Sequence, residues 1–272
     1  MPSAANIQSL LPALPSAKEW LVVGHGESGD SVYRRSDGLA FAKLSRGRGA
    51  MALEGECRRV EWLSRFKLGS PEVLDWRAGE EGACLVTSAI AGVPASDLDG
   101  NQLLQAWPSI AARIGALHAL AIEECLFERG LSTMLARATD VVSRGAVNPD
   151  FLPPEQREAN PAGLLLALEA QREQRLAEEA GDRVVCHGDA CMPNFMVDPA
   201  TLRCTGMIDL GRLGTADRYA DLALMLANAG ESWSGPEQAE AAFTSLFEVL
   251  GLQRPDRGRL AFYLGLDPLT WG

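Results

Sequence analysis

Between Trp20 and about Thr87 the apolar positions come in short, strand-like runs. LVV at 21–23 leads into the turn-rich stretch GHGESGD, SVYRR follows with alternating character, and Asp37-Gly38 separates it from LAFAKL, which predicts a β-hairpin. The period then changes. Met51, Leu53, Cys57, Val60, Leu63 and Phe66 recur at three- and four-residue steps, so an amphipathic helix is expected over 50–66, stopped by Gly69-Ser70-Pro71. VLDWRA and ACLVTSAI, on either side of the turn GEEG, predict two more strands. The first third of the chain therefore reads as a small antiparallel sheet carrying one helix.

After the connector GVPASDLDG (92–100), helical periods dominate. Leu103, Leu104, Trp107, Ile110, Ile114, Leu117 and His118 share one face of a helix over 101–120. Residues 143–162, with VNPD, LPPE and ANP, predict a loop or a pair of short turns, and 164–180 a further helix ended by Gly181. VVCHGDACMPNFMVDPATLRCTGMIDLGRLG alternates strands with tight turns, and DLALMLANA, EAAFTSLFEVLG and RGRLAFYLGL complete a helical C-terminal part. No internal repeat is present. The pattern predicts an α+β protein of two lobes: a β-rich lobe over 1–90, a joint at about 88–92, and a mainly helical lobe over 91–272.

Composition narrows the class. With 47% hydrophobic and 22% charged residues the chain can build a core and is not disordered. A formal net charge of -11 argues against nucleic acid or an anionic membrane surface as partner; it suits a cationic ligand, or simply solubility. No apolar run approaches the roughly 20 residues of a membrane helix. The first residues, MPSAANIQSLLPALPSAKEW, lack a basic region before their proline-broken apolar stretch, so no signal peptide is expected. Six cysteines without a CxxC pair read as reduced, buried small side chains, and point to the cytoplasm. The histidines at 25, 118 and 187 suggest no zinc site. Oligomeric state is left open between monomer and dimer.

The strongest chemical signal is His187-Gly188-Asp189-Ala190-Cys191-Met192-Pro193-Asn194, followed by Ile208-Asp209-Leu210-Gly211. Phosphoryl transfer needs one carboxylate to orient an attacking hydroxyl and take its proton, and an amide and a second carboxylate to hold the cations that neutralise the phosphates. Asp189 and Asn194 lie on one turn between apolar segments, and Asp209 ends the next such segment, where a hairpin return would bring it beside Asn194. Hard oxygen donors of this kind suit Mg2+ rather than zinc. Lys43, ending a short apolar strand opposite a glycine-rich turn, stands where a counter-charge to phosphate is wanted.

HGDxxxxN followed by IDxG resembles the aminoglycoside phosphotransferase family, whose fold is similar to that of protein kinases. ADRYADLAL (216–224) and LAFYLGLDPLTWG (260–272) are also similar to that family, and EEGACLVTSAI and VCHGDACMPNFMVDP most of all to its streptomycin 3''-phosphorylating members. The likeness runs from about residue 18 to the end. It implies a kinase-like fold with a nucleotide between the lobes, ATP and Mg2+ as cofactors, a small-molecule aminoglycoside as the partner, and antibiotic resistance as the outcome. A kinase of the same fold for another aminoglycoside or a small hydroxyl metabolite is the alternative.

By position, the resemblance implies that Asp189 is catalytic and that Asn194 and Asp209 are the metal ligands. It implies that Lys43 contacts the α- and β-phosphates, that Glu56 positions Lys43, and that Ser28 meets the phosphates. Ser88 to Ile90 would meet the adenine edge through the backbone, and Arg212 would lie near the active site. Glu56 competes with Glu54 and Glu61 on one helix, and the register ExxRxxWL favours Glu56. GHGESG lacks the GK[ST] of a Walker loop. His187 reads as a hydrogen-bonding scaffold rather than a base, His118 as structural, and Asp221 as an anchor of the catalytic loop or a helix cap. A polycationic drug needs carboxylates, and the candidates are Asp150, Glu155, Glu231, Asp267 and the terminal carboxylate of Gly272, with solvated surface acid as the alternative for each. The resemblance implies that the last residues fold back to the drug pocket, which makes Asp267 and Gly272 the preferred pair.

Overall fold

The computed structural model describes residues 7–13, 18–25 and 30–272. These fall into two compact units. One contains the described residues through Gly92 together with Thr205–Gly211; the other contains Val93–Cys204 and Arg212–Gly272.

The first unit is built on β1 (Trp20–His25), β2 (Ser31–Arg35), β3 (Ala40–Ser45), β4 (Val73–Gly79) and β5 (Gly82–Ser88), with α1 (Arg48–Ser64) between β3 and β4. The strands form one antiparallel sheet in the order β1-β2-β3-β5-β4. Gly38, at φ 75°, supplies the left-handed residue that closes the β2–β3 hairpin, where its N–H donates to Arg35 O at 2.7 Å. Side chains alternate across the pleat. Tyr33, Ala42, Leu44, Cys84 and Val86 gather on one face with Leu10, Leu11 and Trp20, while Ala83 and Leu85 face the other side, under Leu53 and Cys57 of α1. Of the apolar positions that predicted this helix, Phe66 lies past its end and is only part-buried, and Met51 is not buried. It is 70% exposed, because the buried stripe begins at Leu53.

The second unit begins with β6 (Val93–Pro94) and α2 (Gly100–His118), followed by α3 (Leu131–Ser143), α4 (Pro161–Glu169) and α5 (Arg172–Asp182). β7 (Arg183–Cys186), β8 (Phe195–Asp198), β9 (Arg203–Met207) and β10 (Gly214–Asp217) come next, then α6 (Tyr219–Gly230), α7 (Pro236–Val249) and α8 (Arg257–Leu266). β6 pairs with β8, and β10 with β7, both antiparallel. β9 starts in the second unit and ends in the first. A capping box starts α2: Asp99 accepts from the N–H groups of Asn101 and Gln102, and the Gln102 side chain accepts from Asp99 N. The predicted face of α2 is the core, with Leu103, Trp107, Ile110, Ile114 and Leu117 fully buried.

One expectation needs correcting, and one helix was not anticipated. The helix expected over 164–180 is two helices, with the turn at Ala170-Gln171. No glycine or proline marks the break. α4 is apolar and buries Leu168, whereas α5 buries Arg175 and Glu179, and the change of direction lets both faces reach the interior. α3, which no sequence pattern above singled out, carries a buried stripe of Leu131, Met134, Leu135, Ala138 and Val141.

Trp107 is the largest fully enclosed side chain; its indole N–H donates to Ala242 O at 2.7 Å and its ring meets Trp233 edge-on at 5.6 Å. Replacing it with Ala is expected to cost about 3–5 kcal/mol, as a cavity forms and a buried carbonyl loses its donor. Urea denaturation followed by far-UV circular dichroism measures this, and a loss under about 1 kcal/mol would remove Trp107 from the core it is assigned to.

Candidate active site

Two groups of polar side chains stand out, one in each unit. In the first, Lys43 sits between Ala42 and Leu44 on β3, so its side chain points to the opposite face of the sheet, the one covered by α1. On α1, Glu56 falls in the same stripe as Leu53, Cys57 and Val60 and is only 9% exposed. A carboxylate at a core position is costly unless paired. The pairing is Lys43, whose Nζ lies 2.9 Å from Glu56 Oε2, 3.3 Å from Asp209 Oδ1 and 4.0 Å from Asp30 Oδ2. Glu54 and Glu61, the competing acids, are exposed.

Burial on its own would lower the pKa of Lys43, but the charges of Glu56, Asp209 and Asp30 outweigh it and hold the ammonium well above the usual lysine range. Burial pushes the Glu56 carboxyl up, while Lys43 opposes that shift. Three carboxylates surround one ammonium, so the group has room for further positive charge. Asp209 is bent into place: its φ is 57°, the left-handed region that Asp tolerates better than most residues. Its side chain remains 47% exposed.

In the second unit, the segment from Cys186 to Asn194 is held from beneath by α6. Asp221 is fully buried, and its carboxylate accepts from His187 N at 2.7 Å and Gly188 N at 2.8 Å. His118 Nε2 lies 3.0 Å from the same carboxylate. Burial alone would raise the Asp221 pKa, but the hydrogen bond and charge of His118, the charge of His187 and the Gly188 N–H bring it below the ordinary carboxylate range. Two turns on, Asn228 Oδ1 accepts from Met192 N at 2.6 Å. Gly188 has φ 82°, and a side chain there would overlap the Arg212 carbonyl.

On this frame Asn194 Nδ2 donates to Asp189 O at 2.9 Å and to Asp189 Oδ2 at 3.0 Å. With its amide nitrogen committed to Asp189, Asn194 has Oδ1 as its donor to a hard cation. The thiol of Cys191 lies 3.4 Å from the other carboxylate oxygen of Asp189. His187 Nδ1 accepts from Asp189 N at 3.3 Å, which is a scaffold role. Among the described residues one cluster has metal-ligand types at suitable separation: His118, Cys186 and Asp221. Its atoms are already engaged. The Cys186 thiol donates to Asp217 O at 3.4 Å and burial pushes its pKa far up, so this is a hydrogen-bonded strut.

Residues 19–263 match the model of the phosphotransferase enzyme family. The chain is 50% identical to the streptomycin 3''-kinase of Streptomyces griseus, over 93% of each chain. The solved aminoglycoside phosphotransferase APH(3'')-Id of Streptomyces rimosus superposes with a TM-score of 0.89 at 49% identity, covering 93% of both chains. The same enzyme in complex with ADP and streptomycin gives 0.86 at 47% identity, covering 91% of this chain and 94% of the other. This chain belongs to the aminoglycoside phosphotransferase family. Its fold is the kinase-like fold of that family, antiparallel sheet first and helices after.

The remaining predicted positions of this family member distribute unevenly. Ser28 lies outside the described residues. Ser88 and Ala89 spend their N–H groups inside the first unit, on Glu72 O and Leu39 O at 2.9 and 3.0 Å. Arg212 is enclosed by the C-terminal segment: its guanidinium lies 3.4 Å from Asp267, meets the Thr270 hydroxyl, and stacks 4.0 Å from the Trp271 ring. Burial and the nearby charge of Arg129 bring its pKa down to about 10, against the pull of Asp267 and Asp189. Asp267 is only 7% exposed and is engaged by Arg129, Arg212 and the Trp271 indole N–H. The Gly272 oxygen accepts from Arg137 at 2.8 Å and Arg144 at 3.3 Å. Asp150, Glu155 and Glu231 are exposed surface acids. No described helix is long and apolar enough to cross a membrane.

Sequence reasoning missed three supports of the loop: Arg129, which donates to Gly188 O at 2.7 Å, Asn228 and Cys191. Cys191 could have been found, since it lies two residues from Asp189; the other two are tertiary partners with no local signal. Asp221→Asn is expected to destabilise the protein by about 3–5 kcal/mol at neutral pH, the cost of breaking a buried charged network. Because the native pKa of Asp221 lies below its unfolded value near 4, this contribution is complete above about pH 5 and is lost as pH falls through the native pKa. Urea midpoints of both proteins against pH should converge at low pH, and a gap that widens on acidification would contradict the assignment.

Proposed function

We propose that this chain catalyses ATP- and Mg2+-dependent phosphorylation of an aminoglycoside hydroxyl, and that the acceptor is the 3''-hydroxyl of streptomycin. The observation that carries the reading is 50% identity to a streptomycin 3''-kinase along 93% of both chains, joined to an intact set of phosphotransfer residues. In this reading Asp189 orients the drug hydroxyl and accepts its proton, with Asn194 and Cys191 fixing its two oxygens. Lys43, held by Glu56, takes the α- and β-phosphates. Asn194 Oδ1 and the carboxylate of Asp209 would hold Mg2+, which supplies neutralisation of phosphate charge. Both are hard oxygen donors, and the carboxylate excess around Lys43 suits such a cation.

Because the phosphoryl-transfer transition state is loose, positioning and charge neutralisation contribute more than strong base action. The phosphorylated drug would carry a dianion and fit its ribosomal target poorly, giving resistance. The six cysteines form no disulfide, in keeping with a reducing, cytoplasmic setting.

The test is ADP release from MgATP with streptomycin, with kanamycin and with no acceptor. Streptomycin-dependent release is expected, and Asp189→Ala should lower kcat by on the order of 100- to 10,000-fold. Turnover with kanamycin alone would overturn the streptomycin assignment and keep the family chemistry; silence with both drugs would favour a metabolite hydroxyl as acceptor.

A further inference from the structure

Asp209 ends a segment that is fastened to the first unit by backbone contacts. Met207 N donates to Gly69 O at 2.8 Å, and the Thr205 hydroxyl donates to Ala91 O at 2.5 Å. Between these two bonds Gly206 and Gly69 meet with no side chain on either. A Cβ on Gly206 would overlap the Gly69 carbonyl oxygen and lie 2.7 Å from its carbon and 3.0 Å from Ile90 Cγ2. A Cβ on Gly69 would overlap the Thr205 carbonyl oxygen and lie 2.8 Å from Gly206 Cα. The obstacles are mostly backbone atoms, which no rotamer change can move. Gly69 also needs its glycine for conformation, at φ 68°. Gly206 does not have a left-handed φ, so at that position the close approach alone forbids a side chain.

We infer that the Gly69–Gly206 contact is the device that sets where the Asp209 carboxylate stands relative to Lys43. Gly69, Gly206 and Thr205 are positioning residues for the metal–nucleotide complex, and they tie it to the linker at Ile90-Ala91. The chain has one residue, Ile208, between the Met207–Gly69 bond and Asp209, so a shift at Gly206 is passed on with little slack. A methyl group at Gly206 would have to push the Gly69 backbone back by about 1.6 Å to reach ordinary contact, and misplacement of even about 1 Å costs on the order of 100-fold in catalysis. The inference rests on Asp209 being a metal ligand.

The experiment measures ADP binding by calorimetry, in EDTA and in Mg2+, alongside kcat. It compares wild type, Gly206→Ala, Thr205→Val, Asp209→Asn and Gly163→Ala, the last in α4 where a Cβ meets nothing within 4 Å. Gly206→Ala is expected to keep wild-type ADP affinity in EDTA, to lose the extra affinity that Mg2+ gives, and to lose kcat on the order of 100-fold. Thr205→Val should show the same selective loss in milder form, and Gly163→Ala none. Wild-type Mg2+ dependence in Gly206→Ala would overturn the inference, as would equal loss of ADP affinity with and without metal. Should Gly206→Ala lose its native circular dichroism, Thr205→Val decides: selective loss supports the inference and wild-type behaviour overturns it. An undiminished Mg2+ effect in Asp209→Asn would instead overturn the metal-ligand reading of Asp209.

Discussion

A carboxylate enclosed by protein stays ionised only if donors replace the water it has lost. Asp221 meets that condition with the backbone N–H groups of His187 and Gly188 and one imidazole, and the shape of the loop from Cys186 to Asn194 follows from it. The peptide at His187-Gly188 must point its N–H groups down into α6, which turns Asp189 out on the other side. Asn228 repeats the arrangement one step further along, at Met192. Asp189 and Asn194 therefore owe their places to the backbone beneath them, and their mutual hydrogen bonds only fix the rotamers. The same logic governs the first unit, where Glu56 stands in a hydrophobic stripe because Lys43 is there to meet it.

Much of this was legible in the chain. Asp37-Gly38 fixed a hairpin, and the three–four spacing from Leu53 to Leu63 fixed a helix whose buried face includes Glu56. The meeting of Asp189 and Asn194 could be read because it is local: the two side chains are five residues apart on one turn and hydrogen-bond each other. What could not be read depends on distant partners. Arg129 supports Gly188 from 59 positions away, and Asn228 supports Met192 from 36. The break between α4 and α5 has no glycine or proline to announce it, since it answers to two separate surfaces that must be buried.

The acidic candidates for drug contact show the same limit. Charge in a sequence says nothing about what has already neutralised it. Asp267 looks available in DPLTWG, yet two arginines and an indole hold it, and the oxygen of Gly272 is held by two more arginines. Asp267 holds the last segment to Arg129 and Arg212, and the Gly272 oxygen holds it to Arg137 and Arg144. An acidic protein with a net charge of -11 thus keeps a knot of cations close to Asp189.

The left-handed backbone of Asp209 restricts which replacements are informative. Most side chains entering that conformation add strain of order 1–3 kcal/mol to whatever chemistry they remove, whereas Asn and Gly enter it readily. An alanine there changes charge and backbone together; asparagine changes charge alone. The mutational neighbourhood of this position is accordingly narrow, and an inactive enzyme that drifted back toward function would pass through Asn or Gly more easily than through any aliphatic residue.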